Sequence, residues 1–198
     1  MKKLKEETRQ KLLKTAATEF ARLGYSKTNI NQVSIKAGFG KGTIYNYFKS
    51  KFDLFLTVFN TTMEDVAIEI REEISAIEDP IHKLKQAIYA DFRYFEQNSD
   101  LIIIILRESY AAEREKQAEF IKAATPLFEL YMNIINEGIE KGSYRKDCNP
   151  MIATLQFLGM SENLILMQHA LGAPLGTAEE LAQTVMDTFI HGIENRTG

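Results

Sequence analysis

Residues 26–51, from Ser26 to Lys51, read SKTNINQVSIKAGFGKGTIYNYFKSK and hold two short helical patterns separated by a glycine-bearing corner. Asn29 stands before Ile30 as a helix cap, and Gln32, three positions on, can reach back to it. This predicts a helix from Ile30 to Ala37, ended by Gly38. Phe39 and Gly40 turn the chain, and a second helix is expected from Lys41 through Phe48. Ile44 and Phe48, four residues apart, share one face and pack inward. Lys41, Thr43, Tyr45, Asn46 and Tyr47 are left to point elsewhere, and they are phosphate-binding and base-reading residue types. The layout is a helix-turn-helix.

The charge of the chain divides at the end of this stretch. The 198 residues carry a net charge of −3, yet residues 1–51 hold 12 Lys and Arg against 3 Asp and Glu, while residues 52–198 hold 12 against 24. A basic head attracts a polyanion and an acidic body repels one, so contact with nucleic acid is expected in the N-terminal quarter. A helix entering a major groove suits B-form DNA rather than RNA.

Other classes of function find little support. The one cysteine, Cys148, rules out an internal disulfide and fits a reducing cytoplasm. Lys5, Glu6, Glu7 and Arg9 occupy the place where the apolar part of a signal peptide would follow Met1. The apolar run from Leu101 to Leu106 is about a third of a membrane span, so a soluble, cytoplasmic protein with no membrane partner is expected. His82, His169 and His191 are scattered, no metal-ligand spacing or phosphate-cradling glycine loop occurs, and Cys148 has no identifiable base. No catalytic residue, metal or cofactor is predicted.

The rest of the chain is patterned at helical spacing. Leu12, Leu13, Ala16, Ala17, Phe20 and Leu23 predict a first helix from Lys5 to Leu23, ended by Gly24. With the helix-turn-helix it makes a three-helix bundle around Phe20, Ile30, Val33, Ile44 and Phe48. A long amphipathic helix is expected from Lys51 to Ile77, joining bundle and body without a flexible linker. Further helices are predicted over 80–98, from Leu101 to Lys116, over 118–141, over 149–171 and over 177–195. The β-branched run after Leu101 competes as a strand, but it continues into strong helix formers. Pro126 marks either a kink or a restart. Thr177 and Glu180 form a capping box for the last helix. The fold class is therefore all-α with about nine helices: residues 1–51 a helix-turn-helix domain, residues 52–198 a helical body.

At this point residues 9–59 resemble the DNA-binding domain of the TetR/AcrR family of transcriptional regulators. The resemblance rests on Phe20, Gly24-Tyr25, Thr28, Val33-Ser34, Ala37-Gly38, Lys41-Gly42-Thr43-Ile44-Tyr45, Tyr47-Phe48, Ser50-Lys51 and Leu54. Ser34, Gly40 and Phe52 depart from the family pattern, and Phe52 bears on where the next helix begins. The resemblance implies that the third helix enters the major groove of a double-stranded DNA operator. Lys41, Thr43 and Tyr47 then become the base-side candidates, Gly42 allows close backbone approach, and Asn31 and Gln32 add contacts. Thr28, Tyr45 and Lys51 suit phosphates.

The resemblance also implies that the last two helices pair with a second copy and that the middle helices hold a small-molecule effector. Leu155, Gly159, Leu166, Leu181, Val185, Phe189 and Gly192 are the seam expected in a homodimer, which would read a palindrome with two heads about 34 Å apart. Tyr89, Arg93, Arg107, Tyr110, Tyr131, Glu162, Asn163 and His169 are the polar candidates for an effector pocket otherwise lined by apolar side chains. Burying Arg93 or Arg107 demands an anionic partner, whether Glu108, Glu162 or a ligand. The expected function is a ligand-responsive repressor released by a largely hydrophobic effector; the alternative is a constitutive DNA-binding protein whose body serves dimerisation alone.

Overall fold

In the computed structural model, which describes residues 2–193, the chain forms seven α-helices and one 3-10 turn. The helices are α1 (Lys2–Lys27), α2 (Ile30–Lys36), α3 (Lys51–Ile74), α4 (Pro80–Ala111), α5 (Arg114–Glu140), α6 (Pro150–Leu171) and α7 (Ala178–Ile193), with the 3-10 turn at Thr43–Asn46. The count falls below nine because the helices expected on either side of Asn98 are one, broken only by the non-helical backbone of Asn98 (φ −128°, ψ 25°). The run after Leu101 is helical, and Pro126 lies inside a continuous α5. The expected end of the last helix at Asn195 lies outside the described residues.

Helix ends follow the polar residues that can satisfy them. Asn29 Oδ1 accepts from the Asn31 amide at 2.9 Å and Asn149 Oδ1 from the Ile152 amide at 3.1 Å. Ser50 Oγ accepts from the Asp53 amide while Asp53 Oδ2 accepts from the Lys49 amide, at 3.0 and 2.7 Å, which sets the start of α3 at Lys51 despite Phe52. Thr177 and Glu180 form the expected reciprocal box, and the Ala178 amide donates to Glu96 Oε1 of α4.

The chain divides into two compact units. The first holds Met1–Thr62 and Ser99–Ala124, the second Met63–Asn98 and Thr125–Gly198. The first unit is built on Leu12, Phe20, Val33, Ile44, Phe48 and Phe55, all buried. Its aromatic core continues from Phe20 on Phe55 (5.0 Å between ring centroids) to Phe120 of α5, which meets Phe52, Phe55 and Phe59. The head therefore packs together with 26 residues (99–124) that the sequence assigns to the body.

The second unit closes on Leu84, Ile88, Phe92, Tyr131, Phe157 and Phe189, with Phe157 between Tyr131 and Phe189 at 5.5 and 4.8 Å. At its edge Tyr144 is fully buried, donates to the Pro80 carbonyl at 3.1 Å, and lies flat against Gly138. A Cβ on Gly138 would stand 2.2 Å from the Tyr144 ring. Gly138→Ala is expected to cost about 1–3 kcal/mol through this overpacking, read as a lower urea midpoint at unchanged m-value.

Candidate nucleic-acid interface and effector region

The corner between α2 and the recognition segment is held from below. Ser34 is buried, and its hydroxyl donates to the Gly40 carbonyl at 2.6 Å. Beyond it the backbone does not make the expected α-helix over residues 41–48. Thr43, Tyr45 and Tyr47 amides bond to carbonyls three residues back, and only Phe48 bonds four back, to Ile44. Three glycines in five residues, Gly38, Gly40 and Gly42, lower helix propensity enough for a tight 3-10 turn to replace the helix.

The facing of the segment is nonetheless as the sequence implies. Ile44 and Phe48 are buried, Lys41 and Gly42 are exposed, Thr43 and Tyr47 are half-buried, and Tyr45 is 52% exposed. A Cβ added to Gly42 would meet nothing within 4 Å, so its backbone lies open to close approach. Asn31 is half-buried and Gln32 exposed on α2.

Two residues expected at phosphates have other partners. Thr28 is only 3% exposed, and its hydroxyl donates to the carbonyls of Gly24 (2.7 Å) and Glu19 (3.2 Å). Lys51 donates from Nζ to the Ser26 carbonyl at 2.9 Å and sits 4.7 Å from the Tyr25 ring centroid. Burial holds its pKa below the ordinary lysine value, against the nearby charge of Glu108. Both side chains hold the end of α1, a role that a count of lysines and threonines near a helix-turn-helix does not distinguish from DNA contact.

The residues expected around an effector fall in both units. Arg107 and Tyr110 belong to the first unit and are exposed, Tyr110 at 60%. The others lie in the second unit. Arg93 finds its anionic partners on α3, Glu69 at 2.6 Å and Glu73, with the Tyr89 ring 5.7 Å away. These are not the partners Glu108 or Glu162 that the sequence offered. His169 and Asn163 are exposed on α6.

Tyr131 and Glu162 each act on Asp91, a residue the sequence did not single out. Tyr131 has no exposed surface, and its hydroxyl points to Asp91 Oδ2 at 3.5 Å. Asp91 is half-buried as a residue, but burial of its carboxyl, then the charge of Glu162, push its pKa up to about 7, against the hydrogen bond from Tyr131. The same burial and the Asp91 charge raise Tyr131 well above the usual tyrosine range. The available signal was an acid at position 91 between Ala87, Ile88 and Phe95 on an apolar stripe.

The expected pairing seam is part core and part surface. Leu181, Val185 and Phe189 are buried within the second unit, and Leu166 is half-buried. Leu155 is 57% exposed and Gly159 is exposed, while Gly192 lies outside the residues whose surroundings are described. Gly159, Asn163, Gln156, Thr184 and Thr188 line an open groove of about 800 Å³ between α6 and α7. Among the described residues no group of three His, Cys, Asp or Glu could hold a metal ion, and no helix is long and apolar enough to cross a membrane.

Residues 12–58 match the family model of bacterial regulatory proteins, tetR family, and residues 77–193 match the tetracyclin repressor-like C-terminal domain. The HTH-type transcriptional repressor KstR2 of Mycolicibacterium smegmatis is 24% identical over 191 residues, covering 96% of this chain and 92% of that protein. The uncharacterized HTH-type transcriptional regulator YhgD of Bacillus subtilis is 30% identical over 162 residues, 79% of this chain and 82% of that one. Among solved structures, the transcriptional regulator FadR from Bacillus subtilis in complex with stearoyl-CoA superposes with a TM-score of 0.85 at 20% identity, over 93% of this chain and 99% of that one.

Two outcomes follow from the geometry of Asp91 and Lys51. The folded chain keeps a proton on Asp91 that the unfolded chain, with its ordinary value of 3.8, has released, so stability is lost as pH rises from there to about 7. Asp91→Asn is therefore expected to raise the melting temperature at pH 8 clearly more than at pH 4.5. Lys51→Met should lower stability by about 1 kcal/mol through the lost bond to Ser26 and weaken DNA binding without flattening its salt dependence; a salt slope reduced by about one per protomer would instead place its ammonium at a phosphate.

Proposed function

The chain belongs to the tetR family of bacterial regulatory proteins, and from that premise we propose that it is a ligand-responsive repressor, a homodimer that binds a palindromic DNA operator and leaves it when a small, largely apolar effector binds. The observation that carries this reading is the recognition segment. It buries Ile44 and Phe48 and leaves Lys41, Gly42 and Tyr45 exposed and Thr43 half-buried, on a head with 12 Lys and Arg against 3 Asp and Glu. Thr43, Lys41 and Tyr47 read base edges, Gly42 admits close approach, Asn31 and Gln32 add contacts from α2, and Tyr45 meets a phosphate. Thr28 and Lys51 act one step back, by fixing the end of α1.

The partner copy is seated on α6 and α7. Met151, Ile152, Leu155, Met167 and Leu171 leave large apolar side chains exposed on α6, more than a chain alone has reason to keep. The groove past Gly159 gives a facing helix room to approach. The effector class is argued from two sides: the interior of the second unit is built mainly of Ile, Leu and Phe, and the superposed FadR holds stearoyl-CoA. A long-chain acyl thioester of coenzyme A is the effector proposed.

The test begins with selection of bound sites from random duplex DNA. Thr43→Ala is expected to cost on the order of 1–3 kcal/mol at particular base pairs and to relax preference there. Titrating stearoyl-CoA into the complex with the selected site should release the DNA. If the thioester binds and operator affinity does not change, the chain is a constitutive binder and the ligand-responsive reading fails.

A further inference from the structure

No residue from Lys3 to Lys11 is buried. The first buried residue of α1 is Leu12, and residues 3–7 are exposed. A helical overhang from Lys2 to Lys11 spans about 15 Å at 1.5 Å per residue. It precedes the segment that matches the family model, and its charge is one-sided. Lys3, Lys5, Arg9 and Lys11 stand against Glu6 and Glu7, and the first turn contains no acid. A helix N-terminus already carries the positive end of the helix dipole, so lysines in its first turn are electrostatically unfavourable in isolation. An anionic partner removes that cost.

Two cations of this segment are placed at the borders of the recognition segment. The Arg9 guanidinium lies 5.6 Å from the Phe48 ring centroid, where the segment ends. The Lys11 ammonium lies 5.6 Å from the Phe39 ring centroid, in the corner where the segment begins. A cation held over a ring face keeps its N–H donors pointing outward. Arg9 and Lys11 thus flank Lys41, Thr43 and Tyr45 from a different helix.

We infer that the α1 overhang is a phosphate clamp, in which Arg9 and Lys11, extended by Lys5, grip the DNA backbone on either side of the groove that the recognition segment enters. The inference rests on the DNA-binding reading and adds to it a set of contacts that carry affinity and no sequence preference. Each phosphate contact contributes about 0.9 to the slope of log affinity against log salt. Removing two cations from each protomer of a dimer is therefore worth a slope change of about 3 to 4.

The experiment compares the wild-type chain with Arg9→Gln/Lys11→Gln on a selected site, in a duplex ending at the outer base pairs that are read and in one longer by about one helical turn, roughly 10 base pairs. The glutamines keep part of each stem over its ring. The expected result is a flattened salt slope, unchanged base preference, and loss of the advantage that the wild type gains from the longer duplex. An unchanged slope and flank advantage overturn the clamp. An equal loss on both duplexes at unchanged slope also overturns it, since that is what a purely structural role of Arg9 on Phe48 gives. If the wild-type chain selects no duplex sequence, the DNA-binding reading itself fails, an outcome distinct from both.

Discussion

One ammonium group ties the head together. Lys51 is the first residue of α3, yet its Nζ donates to the carbonyl of Ser26 at the end of α1 and covers the Tyr25 ring. That position exists because Gly24 breaks α1 with φ 76°, a conformation costly for any residue with a Cβ. The break drops Tyr25 onto Phe20 and Phe55, at 6.0 and 5.0 Å, and turns Thr28 inward to close on the Gly24 carbonyl. Glu108 of α4 acts on both Tyr25 and Lys51, and Ile104 approaches Gly24. The end of α1, the start of α3 and the later half of α4 therefore share one corner, and the recognition segment inherits its placement from it.

Much of this was legible in residues 26–51, because the information there is local. The Asn29 cap, the glycine corner and the inward pair Ile44 and Phe48 depend on neighbours within a few positions. The 3-10 geometry of Thr43–Asn46 depends on a closer balance, between three glycines and a short run of β-branched and aromatic residues, that residue spacing alone does not resolve. Thr28 and Lys51 have partners in the head that the sequence does not reveal. A hydroxyl and an ammonium beside a helix-turn-helix read identically whether they face phosphate or a backbone carbonyl, and only the break at Gly24 decides between them.

The body shows the complementary failure. That Arg93 needs an anionic partner follows from chemistry alone, but Glu69 and Glu73 supply it from α3 across a register that the sequence does not contain. Asp91 passed unremarked because a single acid on an apolar stripe is easily taken for an edge residue. In place Asp91 accepts from Tyr131, and burial of its carboxyl, then the charge of Glu162, raise its pKa to about 7.

Three helices, α3, α4 and α5, contribute residues to both compact units. In α3 the Thr62 hydroxyl donates to the Val58 carbonyl, as Thr57 does to Asp53, and the helix runs on unbroken. In α4 Asn98 is non-helical, and its side-chain amide donates to the Tyr94 carbonyl. In α5 Pro126, two residues past Ala124, can donate no backbone bond. A uniform helix resists bending along its whole length, whereas one with a missing or diverted bond yields there first. An effector shifts an equilibrium only by its differential affinity for two arrangements, commonly a few kcal/mol.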